Sequence, residues 1–82
     1  MDALKPSAYS EVYEFLVSSP SPEEILAFRP SEATQERIRT LLAANKAGSL
    51  STEETIELEE FDKLEHFVRM LKLHAQVKLN DS

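Results

Sequence analysis

The chain has no cysteine. That excludes a disulfide framework, a thiolate metal site and a cysteine nucleophile. A single glycine leaves no room for a glycine-rich phosphate loop, since Gly48 stands alone. Long apolar runs are also missing: the longest are a few residues, far below the ~20 needed to cross a bilayer. The start, Met-Asp-Ala-Leu-Lys-Pro, has neither the basic nor the apolar region of a secretion signal. The expectation is a cytoplasmic protein with no membrane contact. Basic residues are the minority, nine against fifteen acids, for a net charge of -6 and a pI near 4.8. A polyanion is repelled by this balance and a basic partner suits it, although acid that merely keeps a small domain in solution explains it as well.

What is present is helix-forming sequence punctuated by caps. With 82 residues the chain fits one domain, 1–82, and buries only about 60% of its unfolded surface. Tyr9, Val12, Tyr13 and Leu16 recur at i, i+3, i+4 and i+7, which predicts a first helix from about Ala8 to Ser18. Ser18-Ser19-Pro20-Ser21-Pro22 ends it. Ser21 then caps a short second helix, with Pro22 at its first position, Glu23 and Glu24 in its first turn and Pro30 as its stop. Ser31 opens a third, Glu32 to about Ala47, with Ile38, Leu41 and Leu42 inward and Gly48 as left-handed cap. Ser51-Thr52-Glu53-Glu54 is a capping box that opens a fourth helix reaching Leu79. No period-2 alternation appears. The fold class expected is all-α: an antiparallel helical hairpin of about 31–47 and 51–79 with two short N-terminal helices, a four-helix mini-bundle. Residues 1–7 and 80–82 are expected to be disordered.

Length sharpens the argument. At 1.5 Å per residue the third helix spans roughly 24 Å and the fourth roughly 40 Å. About a dozen residues after Val68 therefore overhang, and they are not the polar tail that an unsupported overhang would carry. Phe61, Leu64, Val68, Leu71 and Ala75 follow a 3-4-3-4 seam. Met70, Leu73 and Val77 form a second stripe nearly opposite, with Phe67 and His74 on the flank between. A stripe on an overhang asks for a cover. The two N-terminal helices are one candidate; a second copy or a different protein is the other, and the reading favours the intermolecular cover. Phe67, Met70, Leu73, His74 and Val77 are accordingly the candidate partner or dimer interface. Acids crowd the first half of this helix and bases the second, as the macrodipole prefers. So many carboxylates beyond the first turn also allow an acidic docking face at Glu53, Glu57, Glu59, Glu60 and Asp62.

Chemistry is hard to find. Asp62 and His66, four apart, share a helical face in the way a divalent metal needs, but the Glu-x-x-His pattern of helical di-metal sites is absent. His74 reads as an ordinary flank histidine. Most serines are explained as caps, so no nucleophile with an oriented base emerges. Arg29, Arg37, Arg39 and Lys46 permit a helix-turn-helix reading, which Glu32 and Glu36 on the same helix weaken. The expectation is no enzyme, no cofactor, no metal and no direct nucleic-acid contact.

From Ser21 onward the chain resembles a set of small, acidic, helical bacterial proteins. The resemblance rests on Pro22-Glu23-Glu24-Ile25-Leu26-Ala27-Phe28-Arg29-Pro30-Ser31, on Gln35-Glu36-Arg37-Ile38, on Leu41-Leu42 and on Asn45-Lys46-Ala47-Gly48-Ser49-Leu50-Ser51. It ends with Leu64-Glu65-His66-Phe67-Val68-Arg69-Met70-Leu71-Lys72, and covers about two-thirds of the chain. Such proteins look like antitoxin-type partners, encoded beside a toxin-like nuclease of the HNH or PIN kind. The resemblance implies a module that binds and restrains that basic neighbour. The usual antitoxin also has a separate DNA-binding N-terminal module, for which Met1 to Pro20 is too short. The alternative is a homodimeric helical scaffold or regulator.

Overall fold

A computed structural model of the protein describes residues 8–81. They form four helices and no strand: α1 (Ala8–Val17), α2 (Pro22–Ala27), α3 (Glu32–Lys46) and α4 (Thr52–Asn80). The fold is all-α, and the capping residues set its boundaries. The Ser21 hydroxyl accepts the Glu24 N–H at 3.1 Å while the Glu24 carboxylate accepts the Ser21 N–H at 2.7 Å. Ser51 and Glu54 repeat the exchange at 3.0 and 2.9 Å. Each box satisfies two donors that the first turn leaves without partners. Gly48, at φ +71°, ends α3 and lets the Ser49 N–H return to the Ala44 carbonyl at 2.9 Å. Ser19 ends α1 in the same left-handed region, at φ +56°. Asn80 closes α4 and Asp81 caps it, so the helix runs a residue past the expected end. The disorder expected for residues 1–7 and for Ser82 concerns positions outside the described residues.

The 29-residue α4 is the spine. α2 packs on it most extensively, followed by α3 and α1. Ala8 and Val12 of α1 meet Leu64 of α4, and Tyr9, Leu16, Phe28, Phe61 and Val68 lean against that cluster. The rings of Phe15 and Phe28 lie 4.6 Å apart and join α1 to the end of α2. Leu41 of α3 is completely buried. Arg37 of α3 grips Glu57 of α4 through both carboxylate oxygens, at 2.9 and 2.8 Å. Both side chains are over a third exposed, so the pair contributes at most about 1 kcal/mol.

The extents are 48 × 28 × 18 Å. The smallest is less than two helix diameters of about 10–12 Å, and only Ala8, Val12, Leu41, Leu64 and Ala75 are buried hydrophobics among the described residues, so no helix gives the core more than two of them. This explains two departures from the expected inward faces. Leu42, one step round α3 from Leu41, is half exposed, and Tyr13, one step round α1 from Val12, is 60% exposed. A single contact line covers about one residue per turn, and these two fall beside it.

Candidate interaction surface

The seam expected on α4 is the covered side. Leu64 and Ala75 are buried, and Phe61, Val68 and Leu71 are partly covered. The overhang beyond Val68 is covered on that side by α2, because the Lys72 ammonium donates to the Phe28 carbonyl at 3.0 Å. The opposite stripe stays uncovered. Phe67 is 48% exposed, Met70 39%, Leu73 55% and Val77 51%, with His74 exposed among them. The two N-terminal helices thus pack on α4 without reaching its second apolar face. Ile56, also exposed, lies further along the same side, where the sequence reading had not placed it.

The five acids separate into two groups. Glu57 holds Arg37, and Glu60 accepts the Tyr9 hydroxyl at 2.9 Å and pairs with Lys63 at 3.6 Å. Glu53, Glu59 and Asp62 stand exposed, the last two three residues apart and so on neighbouring positions of one helix side. The hydrogen bond to Glu60, and then modest burial, raise the Tyr9 pKa above that of an ordinary tyrosine. Arg37 and Arg39 are held more firmly protonated, chiefly by their hydrogen bonds to Glu57 and Glu36. The basic set is therefore divided as well: Arg39 binds Glu36 at 2.7 Å, while Arg29 and Lys46 are exposed. Asp62 and His66 are exposed, and no three His, Asp or Glu side chains gather around one point among the described residues.

Three side chains to which the sequence analysis gave no individual role, Glu11, Gln35 and Lys72, converge on the α2–α3 elbow, Phe28 to Ser31. Glu11 reaches across from α1 and accepts the Ser31 N–H at 2.8 Å, the Ser31 hydroxyl at 2.8 Å and the Thr34 hydroxyl at 2.6 Å. Burial pushes the Glu11 carboxyl up, but the bonds from Thr34 and Ser31 outweigh it and hold the group below the usual glutamate value. Its charge also lies at the positive end of α3. Lys72 places a cation on the carbonyl at the end of α2, and Gln35 donates to the Pro30 carbonyl at 2.7 Å. A signal existed for Glu11: it shares a face with Ala8 and Phe15, and an acid on an inward face needs polar partners.

Beside the elbow, α1, α3 and α4 leave an apolar groove of about 190 Å³. Val12, Phe28, Ile38, Phe61, Leu64 and Val68 form most of it, with Thr34, Glu65 and Lys72 as the polar contributors. Glu65 is paired with Arg69 at 2.6 Å, and Lys72 donates to the Phe28 carbonyl at 3.0 Å. No helix is long and apolar enough to cross a membrane among the described residues. No known protein family, curated protein or solved structure matches the chain, so the antitoxin-type resemblance rests on the residues quoted for it alone.

Proposed function

We propose that this protein is a non-enzymatic interaction module, antitoxin-like in kind, that binds and restrains a basic partner protein such as a nuclease. In this reading α3 and α4 form an antiparallel hairpin, the body of a four-helix mini-bundle that holds α4 out as the binding element. The observation that carries it is the uncovered Phe67, Met70, Leu73 and Val77 stripe on a helix whose other side packs on α1, α2 and α3. Apolar anchors of this kind supply binding energy where they can be desolvated. Glu53, Glu59 and Asp62, exposed on the first half of the same helix, give a basic partner its electrostatic approach.

The test is the kinetics of binding to a purified basic nuclease. Charge steering predicts that association slows as salt rises, with little change in dissociation. Glu59→Lys with Asp62→Lys should lower the on-rate, and Leu73→Asp should raise the off-rate. An on-rate indifferent to both salt and charge reversal removes the acidic residues from the docking surface. A partner that binds Leu73→Asp as tightly as the native chain removes the stripe.

A further inference from the structure

The exposed face of α4 carries a regularity beyond its apolar character. Lys63, Phe67, Met70, His74 and Val77 of α4, with its C-terminal cap Asp81, are spaced at steps of 4, 3, 4, 3 and 4. Such steps keep residues on a single seam. The order of steps is also the same in both directions. A second copy laid antiparallel, with the twofold axis beside residue 72, therefore meets the first in register.

We propose that this line is the interface of an antiparallel homodimer. The proposal rests on the reading of this face as an interface and names its occupant in the free protein as a second copy of the chain, which a basic partner displaces when it binds. In that register Phe67 of each copy faces Val77 of the other, and Met70 faces His74. Leu73 flanks the axis beside its own counterpart. Each end of the seam is closed by Lys63 of one copy over Asp81 of the other, so charges of opposite sign meet twice.

The charges decide the direction. A parallel pair in register stacks Lys63 on Lys63 and Asp81 on Asp81, two like-charge contacts. Asp81 supplies a further preference. As the C-terminal cap of α4 its carboxylate sits at the negative end of the helix, where acids are disfavoured and a lysine is welcome. Lys63 is 72% exposed and held only by a 3.6 Å contact to Glu60, so it can turn to the new partner.

The overlap of residues 63–81 runs about 28 Å, at ~1.5 Å per residue. That is a small interface, which points to reversible association. It also leaves Glu53, Glu59 and Asp62 of each copy clear of the overlap, one acidic segment at either end of the dimer.

Sedimentation equilibrium of the full chain, with a set of exchanged charges, tests this. The native protein should show a concentration-dependent monomer–dimer equilibrium. Lys63→Glu should weaken it about tenfold, two repulsive contacts replacing two attractive ones, and adding Asp81→Lys should restore it. Because the chain lacks cysteine, orientation can be read by cross-linking. Phe67→Cys mixed with Val77→Cys should give a mixed disulfide, while each variant alone should give little. Like positions in the antiparallel pair are about 15 Å apart along the axis, too far for a disulfide. Efficient disulfides within either variant alone would establish a parallel pair and overturn the proposal. A double charge exchange that fails to restore association overturns the register. A strict monomer that still captures a basic partner overturns the dimer and leaves the interaction module standing.

Discussion

Glu11→Gln is the sharpest probe of how the helices are tied together. The carboxylate accepts three hydrogen bonds at 2.6–2.8 Å from Ser31 and Thr34, at the N-terminus of α3. Bonds to a charged group stabilise by roughly 1.5–3 kcal/mol each when buried, and an acid at a helix N-terminus by about 0.3–1 kcal/mol. Here the surroundings are partly open to water, which reduces the total to about 1–2 kcal/mol. Glutamine keeps the shape and one acceptor oxygen, so the loss should be about 1 kcal/mol, or roughly 4–8 °C in Tm for a domain this small. The pH dependence has a definite sign. With Glu11 below its ordinary value in the folded state, its contribution is complete above the usual glutamate range, near 4.3. It is lost as pH falls through the lowered folded value. Urea unfolding of the native chain and the Gln variant, from about pH 7 down to about pH 3, should show a gap that narrows with acid. Equal midpoints at neutral pH, or a gap that acid does not narrow, would refute the assignment of Glu11 as the clamp on α3.

Leu41→Ala removes the one fully buried large side chain among the described residues and should cost about 2–5 kcal/mol by chemical denaturation. Against a total of roughly 4–12 kcal/mol for a chain of this length, the variant should lie close to unfolding at 37 °C. Ser19→Gly should raise stability by about 0.5–1 kcal/mol, since φ +56° strains any residue with a Cβ, and Gly48→Ala should lower it by about 1 kcal/mol although nothing lies near the added methyl. The absorbance of Tyr9 should shift to that of the phenolate above the ordinary tyrosine range, and Glu60→Gln should return it. The stability from this bond is therefore present below the usual tyrosine value and lost as pH rises through the raised folded one.

Local chemistry made much of this fold legible. Ser21, Ser31, Ser51 and Gly48 act where their side chains or backbone are needed, because a cap depends on residues no more than a few positions away. The α4 seam was equally plain, since Leu64 and Ala75 follow helical periodicity. Contacts across long sequence distances were not. Glu11 to Ser31 and Lys72 to Phe28 join residues 20 and 44 positions apart, and no spacing rule connects them. The extent of coverage was also hidden: Leu42 and Tyr13 carry apolar side chains on plausible inward faces, and only the thinness of the molecule leaves them in water. For the candidate surface, periodicity located Phe67 to Val77, but could not tell that Glu57 and Glu60 are engaged by Arg37 and Tyr9.

That α1, α2 and α3 all pack on α4 has a consequence for synthesis. The three helices leave the ribosome first, and the spine that gives them a core follows. At about 5–20 residues per second the three earlier helices wait roughly 1.5–6 seconds while residues 52–80 are added. During that interval Val12, Phe28 and Leu41 have little to bury against, and α2, at six residues, is too short to persist alone. The nascent chain is thus open to chaperones and proteases until α4 emerges and gives α1, α2 and α3 their core.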